Sequence, residues 1–210
     1  KVERFMPPQP VKKWKGVRKC VKWGPMTMQQ QNRPMTEEQM SENCCVLNVW
    51  TTDVKAKKPV MFWLHGGGFD SGTSEWDPGM CLAKKDVVVV GVNHRLNILG
   101  FLDLSTISKK YKYSGNVGML DVVQALQWVQ KNIRQFGGDP NNVTIFGESR
   151  GGGKVGTLLC MPVAKGLFHK AIIMSGTILN VNTKAMTEEL GEAVLKELNI
   201  DKKNVDKIKD

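Results

Sequence analysis

Val143-Thr144-Ile145-Phe146-Gly147-Glu148-Ser149-Arg150-Gly151 is the stretch on which the interpretation of the whole chain turns. Val143 to Phe146 is a short β-prone run that leads directly into Gly147, and a helix is expected to open just after Ser149. Glycines on both sides of Glu148-Ser149-Arg150 suit a turn so tight that a neighbouring Cβ would clash and the serine must adopt strained dihedrals. Such a turn lifts the Ser149 hydroxyl above the end of a strand. The free N–H groups and positive end of the following helix then face it, which favours a developing oxyanion. A glycine-bounded structural turn is the bland alternative, because Gly-x-Ser-x-Gly alone is a short pattern.

Outward from this turn the chain alternates strands and helices. Val46 to Trp50, Val60 to Leu64, Val87 to Val92 and Ala171 to Met174 are expected strands. The Val87 to Val92 run is too uniformly β-branched for a half-exposed strand and is expected to be central and parallel. Leu120, Val123, Leu126, Val129 and Ile133 recur at helical spacing, so residues 118–136 are expected to form an amphipathic helix, closed by Gly137-Gly138-Asp139-Pro140. Residues 78–85 suggest a short helix. Residues 187–198 suggest another, opened by a Thr187-Glu188-Glu189 cap signal. Strands joined by crossover helices imply an α/β fold with a mostly parallel central sheet and helices on both faces. Ligand sites in such sheets lie beyond the carboxyl ends of the strands. Residues 1–40, punctuated by Pro7, Pro8, Pro10, Pro25 and Pro34, read as an irregular extended surface segment, and residues 41–210 as the core of a single domain.

A second glycine cluster supports the first. His65-Gly66-Gly67-Gly68-Phe69 follows the carboxyl end of the Val60 to Leu64 strand. Residues without side chains let backbone N–H groups approach a substrate oxygen, and each well-aimed donor lowers a barrier by about 3 to 4 kcal/mol. A phosphate-binding loop would call for Gly-Lys-Ser/Thr, which does not follow.

Composition narrows the class without identifying it. The chain has 210 residues, 41% hydrophobic and 24% charged, as in ordinary globular domains. The longest apolar runs fall well short of the roughly 20 residues needed to span a bilayer. A net charge of +10 arises from scattered lysine pairs with no accompanying recognition motif, so nucleic acid is not the expected partner. Five cysteines, Cys20, Cys44, Cys45, Cys81 and Cys160, have no metal-type spacing, and buried free thiols are the simplest expectation for them. They leave periplasmic, secreted and cytoplasmic locations open. Lys1 is not an initiator methionine, and Val205 onward reads like the first turns of a helix without a stop signal, so both ends are expected to belong to a longer protein.

With both motifs in place, the sequence resembles the type-B carboxylesterase family of α/β-hydrolases, which also includes non-catalytic neuroligins. The likeness is collinear. It runs through Arg4-Phe5 with Pro7-Pro8, Ser41-Glu42-Asn43-Cys44-Cys45-Val46-Leu47-Asn48-Val49, Asn93-His94-Arg95-Leu96, Gly115 to Asp121, Ala125-Leu126-Gln127-Trp128-Val129 and Phe136 to Pro140. The resemblance implies Ser149 as catalytic nucleophile and the N–H groups of Gly67, Gly68 and Arg150 as oxyanion donors. It offers Glu148, Phe69 and His65 as candidates to line the pocket, with a buried structural hydrogen bond as the alternative for Glu148 and core packing for Phe69. The implied partner is a small-molecule ester, and no metal or organic cofactor is needed. Arg150 departs from the small residue usual at its position, so that its guanidinium would crowd the oxyanion site or bring charge to it. Thr27 stands where the family often has the cysteine that pairs with the counterpart of Cys44, and Cys20 or Cys45 would have to replace it for that bridge to form.

A serine nucleophile needs a histidine base, and only His65, His94 and His169 exist. His65 belongs to the glycine loop, His94 occupies a structural position before Arg95, and His169 precedes a strand at its amino end. In this fold the acid and the histidine follow the serine in that order. Between Ser149 and His169 there is neither Asp nor Glu, so the acid and base are expected beyond Asp210. Residues 1–210 are accordingly expected to be inactive alone, with a half-built sheet and uncovered apolar surface. The alternative from another class is a non-catalytic interaction protein of neuroligin type on the same fold.

Overall fold

A run of β-branched residues stays buried along its whole length only when both of its edges are paired and both of its faces covered. Strand β3 (Val88–Val92) meets that condition, with every residue buried. It lies between β1 (Leu47–Trp50) and β2 (Lys58–Leu64) in a five-stranded sheet completed by β4 (Gly138–Glu148) and β5 (Lys170–Met174), in the order β1-β3-β2-β4-β5. The computed structural model describes residues 2–30, 39–176 and 181–209. Strands β3, β2, β4 and β5 are parallel, while β1 pairs antiparallel with β3. The expected central strand is therefore parallel on one side only. The fold is α/β, a mostly parallel sheet flanked by helices.

Alternation along β2 separates the faces. Val60, Phe62 and Leu64 are fully buried, whereas Met61 and Trp63 are half-buried. The buried face meets α3 (Val117–Asn132) through Met119, Val122, Leu126 and Val129, and α4 (Arg150–Leu159) through Val155 and Leu158. Leu120, expected on the buried stripe, is only half-buried; Met119 and Val122 take the inner positions. On the opposite face α1 (Met80–Ala83) begins at Gly79, where an added Cβ would lie 2.5 Å from a Val89 methyl. A third element, α2 (Asn97–Phe101), leads from β3 toward α3.

Several boundaries move from their expected places. Residues 133–136 tighten from α3 into a 3-10 turn, and Gly137 closes it in the left-handed region at φ 77°. Gly138, Asp139 and Pro140, expected to close the preceding helix, belong to β4: Gly138 pairs with Lys58 across a register irregularity, which accommodates Pro140. Helix α5 (Lys184–Glu197) begins earlier than Thr187, with Thr183 as its cap accepting from the Met186 N–H at 3.3 Å. The Thr187 hydroxyl instead donates to Asp103 Oδ2 at 3.1 Å. Residues 205–209 form a 3-10 turn.

Part of the N-terminal segment is core rather than surface. Phe5, Met26 and Thr27 are buried, and Phe5 packs edge-on to Tyr111 at 6.4 Å in a small second core with Leu102, Leu104 and Leu195. All five cysteines are free; Cys44 is buried while Cys20, Cys45, Cys81 and Cys160 are exposed, so buried thiols describe only the first. Thr27 lies in contact with Cys44, the place the resemblance assigns to a pairing cysteine. Among the described residues no helix is long and apolar enough to cross a membrane.

Candidate active site

The parallel ladder between β2 and β4 ends at the pair Leu64 and Gly147, and the two glycine motifs continue from those two strand ends. Neighbouring strands that end together must place their loops side by side, and a Cβ added to Gly66 would lie 3.5 Å from Ser149 Cβ and 3.2 Å from the Glu148 carbonyl oxygen. Motifs far apart in sequence thus meet at the carboxyl edge of the sheet.

Ser149 has φ 53° and ψ −128°, a strained conformation for a residue with a side chain, held between the last residue of β4 and the first turn of α4. Its N–H donates to the Met174 carbonyl at 2.9 Å, and its own carbonyl accepts from the Gly153 N–H at 3.2 Å. The flanking glycines are required by contact. A Cβ on Gly147 would stand 2.5 Å from the Gly151 carbonyl carbon, and one on Gly151 would collide with the Leu64 carbonyl oxygen.

The other loop is equally constrained. Gly67 and Gly68 have φ 85° and 74°, in the left-handed region, and a Cβ on Gly67 would sit 2.6 Å from the Ser71 carbonyl oxygen. The Ser71 N–H and hydroxyl both donate to the Gly67 carbonyl at 3.0 Å. Among the described residues, the N–H groups of Gly67, Gly68 and Arg150 have no acceptor. Arg150 directs no side-chain hydrogen bond to any of them and is exposed.

His65 is buried beneath its own loop. Its Nδ1–H donates to the Gly66 carbonyl at 2.8 Å, and its ring stacks on His94 at 5.2 Å. Burial, helped by the nearby Lys154 charge, pushes His65 down to about 3, against the Gly66 hydrogen bond. His94 is held well below the ordinary histidine range by burial, then by Lys154 and His65, while its Nδ1–H donates to the Arg95 carbonyl at 2.9 Å. Both rings stay neutral and are poor proton acceptors at neutral pH. His169 lies at the opposite end of the sheet, where its Nδ1 accepts from the Val143 N–H at 3.1 Å. Glu148 is exposed beside Gly66, not buried in a structural hydrogen bond. Phe69 is half-buried, edge-on to Phe101 at 5.1 Å and packed on the main core.

Four supporting residues were not assigned a role from sequence. Gln29, in the N-terminal segment, pairs with both backbone groups of Gly72: Oε1 accepts from the N–H at 2.6 Å and Nε2 donates to the carbonyl at 3.1 Å. Nothing in its polar surroundings marks it. Arg95 and Asp121 form a buried two-point ion pair, Nε to Oδ2 at 2.8 Å and Nη2 to Oδ1 at 2.7 Å, below the β3 end of the site. Lys154 on α4 is fully buried and donates to the His65 carbonyl at 3.0 Å. Its signal was a lysine four residues before Leu158, on the face that α4 buries. Among the described residues, no three His, Cys, Asp or Glu side chains converge as a metal site.

The model of the carboxylesterase family matches residues 2–209, nearly the whole chain. The chain belongs to the carboxylesterase family. It is 41% identical over 213 residues to a para-nitrobenzyl esterase of Bacillus subtilis (strain 168), covering 98% of this chain and 43% of that protein. To the medium-chain fatty acyl-CoA hydrolase precursor of Anas platyrhynchos it is 44% identical over 207 residues, covering 91% of this chain and 36% of the relative. Among solved structures, a PNB esterase superposes with a TM-score of 0.90 at 40% identity, covering 98% of this chain and 43% of that one. An esterase of Clostridium hathewayi superposes with a TM-score of 0.87 at 44% identity, covering 96% and 43%. This carboxylesterase-family chain thus spans well under half the length of the relatives it matches.

Proposed function

We propose that the protein hydrolyses carboxylic esters through Ser149. The Ser149 Oγ attacks the ester carbonyl carbon, its proton passes to a base, and the carbonyl oxygen becomes an oxyanion. The N–H groups of Gly67, Gly68 and Arg150 accept that charge as donors, reinforced by the positive end of α4. Collapse breaks the acyl C–O bond, the base returns the proton to the leaving alcohol, and an acyl-enzyme on Ser149 remains. Water, deprotonated by the same base, then releases the acid and restores the serine.

The observation that carries the proposal is the meeting of a strained serine at the head of a helix with a glycine loop whose Gly67 and Gly68 N–H groups have no acceptor among the described residues, at adjoining strand ends. Family membership supports ester chemistry in general. His65, His94 and His169 are neutralised by burial or displaced to the far end of the sheet. The base is therefore assigned to a histidine outside residues 1–210, oriented by an acid that precedes it in the chain, as the resemblance implies.

The test is made on the full-length protein with a short-chain p-nitrophenyl ester and a fluorophosphonate probe. Hydrolysis and covalent labelling of Ser149 are both expected. Ser149→Ala should abolish labelling and reduce kcat/KM by about a thousandfold or more. Undiminished hydrolysis by Ser149→Ala would overturn the proposal.

A further inference from the structure

The two sets of oxyanion donors stand on different elements. Gly67 and Gly68 follow β2, whereas Arg150 opens α4 after β4. The ladder that fixes β2 against β4 stops at Leu64 and Gly147, so the spacing between the donors depends on contacts past its end.

We propose that Lys154 is a positioning residue for ester hydrolysis: its Nζ ties the nucleophile helix to the glycine loop and sets the spacing of the oxyanion donors. The inference rests on the assignment of Ser149 as nucleophile. Nζ donates to the His65 carbonyl at 3.0 Å and lies 5.7 Å from the centre of the Phe69 ring. Those two residues bracket Gly66, Gly67 and Gly68, so one side chain rooted one turn beyond Ser149 touches both ends of the donor loop.

Packing alone gives no reason for a lysine here. Val155 and Leu158 already seat α4 on the sheet, and an apolar residue would bury at lower free energy than an ammonium. Nor is the charge neutralised by a buried carboxylate. The bond to the His65 carbonyl is the hydrogen bond Nζ makes among the described residues, and the nearest opposing influence is Asp70, which is exposed. The other titratable groups facing it are the neutral rings of His65 and His94. Burial pushes Lys154 down to about 7, with Asp70 opposing, so the charge-assisted form of the bond prevails below that pH and weakens above it.

Donor spacing matters most for the oxyanion and little for the bound ester, so loss of the tether should lower kcat and spare KM. In the full-length protein, Lys154→Met is expected to reduce kcat by about 10- to 100-fold, with KM within about threefold and Ser149 phosphonylation slowed in proportion. Its unfolding midpoint should not fall, because a buried charge has been removed. Wild-type kcat should decline above about pH 7 toward a lower plateau, and the variant should lack that limb. Asp70→Asn keeps the lysine in a folded protein and should move the limb to lower pH. Wild-type kcat in Lys154→Met, or an unchanged limb in Asp70→Asn should the first variant not fold, overturns the inference alone. A wild-type protein that neither hydrolyses the ester nor labels at Ser149 overturns the nucleophile assignment, and this inference with it.

Discussion

Two imidazoles buried as neutral rings make the stability of this protein depend on pH in a direction their positions dictate. Burial lowers His65 to about 3 and His94 well below its usual range, whereas both titrate near 6.5 in an unfolded chain. Between those values the unfolded chain binds protons that the folded one refuses. The contribution is therefore fully present above about pH 6.5 and is lost as pH falls. Each ring removes about 1.4 kcal/mol per pH unit once titration is under way, so the pair removes about 2.7. Urea unfolding of the full-length protein at pH 7.5, 6 and 5 should show this decline before most carboxylates protonate, and His94→Gln should roughly halve it. Constant stability from pH 7.5 to 5 would contradict the neutral stacked pair. From sequence, His65 was legible as a loop residue and His94 as structural, but their contact was not. Stacking joins the ends of β2 and β3, and no local pattern encodes the distance between two strand ends.

At the scale of elements, the strands were legible because their apolar runs are short, dense and bounded by polar residues, and β1, β3 and β5 lie within a residue of their expected limits. What failed were the places where tertiary pairing overrides local chemistry. Gly138-Asp139-Pro140 has turn composition but is drawn into β4, with Gly138 paired to Lys58 of β2, and the antiparallel direction of β1 has no signature in a four-residue strand. The cap of α5 was misplaced because Thr187-Glu188-Glu189 satisfies the pattern that Thr183 fulfils in space. The β4 to α4 junction was the most legible element, since Gly147 and Gly151 are demanded by backbone contacts. Two substitutions on α4 separate that demand from helix propensity. Gly151→Ala drives a methyl into the Leu64 carbonyl and should destabilise by about 1 to 3 kcal/mol or more while displacing Ser149. At Gly156, where a Cβ would meet only the Ile173 Cδ1 at 3.8 Å, alanine should stabilise by about 0.5 to 1 kcal/mol. Denaturant midpoints of opposite sign on one helix are the expected result, and equal effects would mean that helix propensity, not the elbow, governs both sites.

On the scale of the whole molecule, one face of the sheet is sealed and the other is covered only in part, by α1 over β3. Val60, Phe62, Leu64 and Ile145 are sealed by α3 and α4, but Trp63 and Phe146, paired at 4.9 Å, stand half-buried on the reverse. Edge strand β5 is exposed throughout, with Ile172 at 44% and Ile173 at 42%. An unpaired parallel edge flanked by apolar side chains is a template for association. The same 210 residues hold Ser149 and the N–H groups proposed as its oxyanion donors, whereas His65 and His94 are locked in the interior and His169 is at the amino end of β5. A polypeptide of residues 1–210 should therefore bind a hydrophobic dye such as ANS, sediment increasingly as oligomers with concentration, and leave a p-nitrophenyl ester unhydrolysed. A slow stoichiometric acylation of Ser149 is compatible with this expectation, because a half-buried serine beside three N–H groups without acceptors among the described residues retains part of the machinery without the base. Multiple turnover is not. Sustained hydrolysis by the isolated polypeptide, lost on Ser149→Ala, would falsify the assignment of the base to residues outside it and would require one of the three histidines to leave the position described here.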